Sequence, residues 1–76
     1  MKPIKMTKAL LRPACKSGSY DLWTDPSLAE KIGETEGVYS MIHIRGTSYY
    51  ITLDPRYIPW SVLRAIEELG CTIENA

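Results

Sequence analysis

Hydrophobic and polar residues alternate from Val38 to Arg45 and again from Ser48 to Leu53, and they recur every three to four positions from Ile58 to Leu69. The first pattern is that of strands with one buried face, the second that of a helix with one apolar stripe. In the first strand of this pair Val38, Ser40, Ile42 and Ile44 are expected inside, with Tyr39, Met41, His43 and Arg45 outside. Gly46-Thr47 suits a two-residue type II′ turn, because glycine accepts positive φ at the first central position. Tyr49, Ile51 and Leu53 then face inward and Tyr50 and Thr52 outward. Asp54-Pro55 ends the strand, since proline offers no N–H to the ladder. The spacing predicts a helix from Pro59 to Leu69, stopped by Gly70, with Ile58, Val62, Ile66 and Leu69 on its buried stripe. Leu63 and Ala65 lie at the margins, and Trp60, Arg64 and Glu67 face away. Cys71 to Glu74 forms a closing strand.

The first half is less regular. Ile4 to Leu11 reads as an opening strand ended by Pro13, with either Met6 and Leu10 or Thr7, Ala9 and Leu11 turned inward. Arg12 to Thr24 is an irregular stretch with turn chemistry at Lys16 to Ser19. Tyr20 to Trp23 is a candidate for a short extra strand that would make a small hairpin with the opening one. Asp25-Pro26 combines an N-cap with a first-turn proline, and Leu28 and Ile32 give the ensuing helix a narrow stripe that ends by about Glu36. The resulting order, β-α-β-β-α-β, is that of an α+β, ferredoxin-like domain: a four-stranded antiparallel sheet with both helices on one face. The other face would carry Tyr39, Met41, His43, Tyr50 and Thr52.

The chain of 76 residues is long enough for a single domain, residues 1–76, with one small core. Its composition, 45% hydrophobic and 24% charged, is that of an ordinary globular domain rather than a disordered segment. Nine basic residues balance nine acidic ones, so the Lys/Arg surplus of a nucleic-acid binder is missing. No apolar run reaches the roughly 20 residues of a membrane span, and Met1 to Leu11 lacks the apolar block of a secretory signal. The expected location is cytoplasmic, where Cys15 and Cys71 would be free thiols. One histidine and scattered acids assemble neither a Ser-His-Asp group nor a carboxylate pair, so an enzyme is not expected.

Gly37-Val38, Gly46-Thr47, Tyr50-Ile51-Thr52-Leu53-Asp54-Pro55, Pro59 and Ala65-Ile66-Glu67-Glu68-Leu69-Gly70 carry a resemblance. From Gly37 to Ile73, about half the chain, the sequence resembles the heavy-metal-associated domains of copper chaperones and metal-pumping ATPases. The resemblance implies a ferredoxin-like fold and a binding or carrier role related to metal trafficking. The family holds its soft ion in a Cys-x-x-Cys between first strand and first helix, and this sequence has none. With Cys15 matched to the first family cysteine, Gly18 takes the second place; a gapless match of the helix puts Asp21 and Thr24 there.

The expected topology sets opening and closing strands side by side and antiparallel, which brings Cys15 and Cys71 to one end as a degenerate thiolate pair for Cu(I) or Zn(II). The plainer reading makes Cys71 a small buried side chain and Cys15 an idle loop thiol. The alternative function is a metal-independent interaction module, a homodimer included, using the open sheet face with Tyr39, Met41, Tyr50 and Trp60 at the contact. Base stacking on Tyr39 and Tyr50 is a third reading, which the neutral charge opposes.

Overall fold

The computed structural model describes residues 9–74. They form β1 (Ala9–Pro13), β2 (Ser19–Trp23), α1 (Pro26–Gly33), β3 (Val38–Arg45), β4 (Ser48–Leu53), α2 (Pro59–Glu68) and β5 (Cys71–Ile73). The sheet has five strands in the order β3-β4-β2-β1-β5. Every pairing is antiparallel except that of β1 with β5, which is parallel.

This corrects the four-stranded antiparallel, ferredoxin-like expectation. Ser19–Trp23 is a full strand, paired along its length with both β1 and β4. The β-α-β-β-α-β succession therefore begins at β2, and β1 is inserted between its first and last strands. The residues expected to be an irregular stretch supply this insertion. A turn closed by Ser19 N–H to Lys16 O and Ala14 N–H to Ser19 O, both 3.0 Å, folds β2 back on β1. Part of the expected opening strand, residues 4–8, lies outside the described residues.

Cross-strand pairs place one set of side chains beneath the helices. Leu11 lies opposite Leu22, Leu22 opposite Tyr49, Tyr20 opposite Ile51, and Met41 opposite Ile51. Ala29 and Ile32 of α1 and Val62 and Ile66 of α2 close over Leu11, Leu22, Tyr49, Ile51 and Leu53 in a single cluster. Both helices thus occupy the same face, as expected. Full burial of a leucine or isoleucine contributes about 1.5–3 kcal/mol, and Leu11, Leu22, Ile32, Ile51 and Ile66 are all fully buried.

The helix starts behave as their sequences predict. The Asp25 carboxylate accepts the Leu28 N–H at 2.9 Å, with Pro26 at the first helical position. In α2 the buried stripe is shorter than its spacing suggests. Ile58 and Leu69 are the cap residues and are exposed, leaving Val62 and Ile66 to seal the helix. Beyond β4, the Asp54 carboxylate accepts from Arg56 N (3.0 Å), Nε (3.1 Å) and Nη2 (2.8 Å). Those bonds hold the Asp54 carboxyl below its ordinary range.

The inside and outside of β3 are reversed for most of its length. Val38 pairs with Leu53, but the next pair is Ser40 with Thr52, so Tyr39 is an extra residue in a bulge. The bulge puts Met41 and His43 on the helix side and Ser40 and Ile42 on the far side. A second irregularity follows between His43 and Arg45. At the hairpin tip only Gly46 has positive φ (57°), the signature of a type II′ turn.

Gly37 (φ 103°) makes the tightest approach between loop and helix, because a Cβ there would run into Cγ2 of Val62. Gly46 faces open space. Gly37→Ala is expected to lower the stability by about 2–4 kcal/mol through overpacking and backbone strain, and Gly46→Ala by about 1 kcal/mol through strain alone. Urea unfolding checks the difference; equal losses would contradict the close packing of Gly37 on α2.

Candidate functional site

The helix-free face of the sheet is built by the side chains that alternate with the core. On β1 these are Leu10 and Arg12, on β2 Asp21 and Trp23, on β4 Ser48, Tyr50 and Thr52, and on β3 Ser40 and Ile42. The register orders them in rows across the strands. One row runs Ile42, Tyr50, Asp21, Arg12; the next runs Arg45, Ser48, Trp23, Leu10, Thr72. Among the described elements none packs over this face, since all four buried helix residues belong to the opposite cluster. Leu10, Trp23 and Tyr50 are half-buried, and Ile42 is exposed.

Arg12 is the polar pivot of the face. Its guanidinium Nε bonds Glu74 Oε1 at 3.0 Å and its Cζ lies 5.9 Å from the centre of the Trp23 ring. Both members of the ion pair are about half-exposed, so solvent screens it and its stabilisation is small. Its effect is positional, holding a cation beside an indole in the middle of the sheet.

The residues singled out as an interaction set do not form one surface. Tyr50 is on the helix-free face. Met41 is on the other, packed toward α1 with its Sδ 3.4 Å from where a Cβ of Gly33 would lie. Tyr39 protrudes from the bulge of edge strand β3, 70% exposed. Trp60 stands on the solvent side of α2, 62% exposed, with Arg64 Cζ 6.0 Å from its ring. It borders a shallow groove of about 430 Å³ with Leu63, Arg64, Glu67 and Ile73. A second open groove, of about 530 Å³, lies between Ser17-Gly18 and Asp54, Pro55, Tyr57 and Pro59.

Cys15 and Cys71 are both free, the first exposed and the second buried. Because β1 and β5 run parallel, Cys71 lies opposite Ala9 at the start of β1, whereas Cys15 follows Pro13 at its end. The strand between those ends spans about 13 Å, while two Zn–S bonds of about 2.3 Å bridge at most about 4.6 Å. The antiparallel neighbourhood that would have joined the thiols is therefore corrected to a parallel one that separates them. Burial pushes the Cys71 thiol up to about 11. Among the described residues no group of three or more His, Cys, Asp or Glu side chains is placed to hold a metal ion.

His43 is also relocated. It lies across from Tyr49, on the helix side yet exposed, with the rings stacked at 4.7 Å between centres. Its Nε2–H donates to the Gly46 carbonyl at 2.9 Å, which ties the ring to the hairpin turn.

Leu10, Arg12 and Asp21 were not foreseen as part of a surface, and Trp23 was expected in a loop. The signal for Asp21 and Trp23 was the alternation Tyr20, Asp21, Leu22, Trp23, only four residues long and following a turn-rich segment. Comparison with family models, with curated proteins and with solved structures finds no match.

The two thiols are expected to react at different rates. At pH 8 a chromogenic disulfide should modify the exposed Cys15 promptly and the buried Cys71, whose thiol burial pushes up to about 11, only after unfolding. Two equally fast thiols at pH 8 would contradict the burial of Cys71.

Proposed function

We propose that the chain is a metal-independent protein-interaction module that docks through the helix-free face of its sheet. The carrying observation is that Leu10, Trp23, Tyr50 and Ile42 share a face over which no described element packs. Trp, Tyr and Arg are the residue types that concentrate binding energy at protein interfaces, and Trp23, Tyr50 and Arg12 sit on neighbouring strands of this face. The strands that carry them are already ordered, so little backbone entropy is lost when a partner covers them.

The charges of the face favour protein over nucleic acid. Asp21 lies beside Arg12 and Glu74 is bonded to it, so the local positive charge is offset, as it is over the whole chain. Soft-metal carriage by Cys15 and Cys71 is not part of this proposal, because parallel pairing of β1 and β5 parts the thiols.

A photoreactive phenylalanine derivative placed at Tyr50, and separately at Trp60, tests the reading in cells. Adducts are expected from position 50 and not from position 60, and Trp23→Ala should weaken docking about 30-fold, the equivalent of about 2 kcal/mol. Adducts from position 60 alone, or none from position 50, would reject the sheet face as the contact.

A further inference from the structure

The proposed sheet-face contact leaves the partner open, and the charge pattern of the face is informative about it. Arg12 and Asp21 are direct cross-strand partners, and so are Leu10 and Trp23. Both pairs straddle the same line, the boundary between β1 and β2. A two-fold axis laid along that line, in the plane of the face, would set each Arg12 over Asp21 of a second copy and each Leu10 over Trp23 of a second copy. A two-fold interface must be complementary to itself. An axis along β2 would instead oppose Asp21 to Asp21, and one along β1 would oppose Arg12 to Arg12.

We infer that the partner is a second copy of this chain, packed face to face about the boundary between β1 and β2. This rests on the sheet-face reading given above. Aligned sheets pack about 10 Å apart and about 30° from parallel. The two pairs lie near the axis and in adjacent rows of the face, so that rotation displaces them by only about 2 Å, within side-chain reach. Net charge is zero, so no long-range repulsion opposes the approach of two identical chains. The Arg12–Glu74 pair holds the guanidinium at the face and, being half-exposed, gives it up to Asp21 of the second copy at little cost.

The area sets the strength. An axis between β1 and β2 overlays four of the five strands and leaves β3 unopposed; spaced about 4.8 Å apart and each about 17 Å long, the four present about 330 Å² per copy. The pair would bury about 650 Å², short of the roughly 1,200 Å² at which standard interfaces begin. The dimer is accordingly a concentration-dependent one.

Sedimentation velocity on the full chain, from about 10 µM to about 1 mM, tests this with R12D, D21R and their equimolar mixture. The wild-type chain should shift toward twice 8.6 kDa as concentration rises. R12D alone and D21R alone should stay monomeric, because each sets like charges over one another at both contacts. Their mixture restores opposite charges at both and should associate at least as strongly as wild type; recovery in the mixture also shows that both variants are folded. Equal self-association of wild type and both single variants would overturn the two-fold arrangement, as would a mixture that stays monomeric while wild type dimerises. A wild-type chain that is monomeric throughout would overturn the second copy as partner. In that event an adduct from position 50 of a mass other than twice the chain keeps the sheet-face reading, and no adduct removes both.

Discussion

Packing of both helices on one side of the sheet is the constraint from which the other properties follow. Leu11, Leu22 and Tyr49 form a continuous row across three strands, and Ile32, Val62 and Ile66 close over that side. Strand side chains alternate, so filling one face with these residues commits Leu10, Trp23 and Tyr50 to the other. Among the described residues no third layer covers them. The helix-free aromatic face is thus a consequence of the core rather than a separate construction.

The register of β1 shows the same constraint at single-residue level. Its apolar residues fit either phase, since Ala9 and Leu11 or Leu10 alone can face the helices. Arg12 decides between them. A slip of one residue would turn Leu10 and Arg12 beneath the helices, and burying an unpaired guanidinium costs far more than a leucine contributes. With Arg12 outward, Leu11 and Leu22 meet, and Leu10 falls beside Trp23. Turned back on β2 by the hairpin, β1 then runs parallel to its other neighbour β5 and parts the two cysteines.

What the sequence disclosed follows the strength of local signals. Asp25-Pro26, Gly46-Thr47 and the Val62/Ile66 spacing specify caps, a turn and a stripe with little help from tertiary contacts, and all appear where they were read. The topology was misread at β2, whose five residues follow a turn and are stabilised by neighbours on both sides rather than by their own pattern. The phase of β3 was misread because a bulge leaves no mark in alternation; Tyr39 looks like any outward residue until its neighbours' partners are known. The candidate face inherited both errors. Tyr50 was legible on it, Met41 was assigned to it wrongly, and Leu10, Arg12 and Trp23 emerge only once the β1–β2 pairing is in place.

One-sided packing can be tested directly by proton–proton Overhauser contacts of the Trp23 indole in the dilute chain. They should reach Leu10, Arg12 and Tyr50 on neighbouring strands and no methyl group of Ile32, Val62 or Ile66. Contacts from Trp23 to those helix methyls would place the indole in the core and contradict a sheet with one free face.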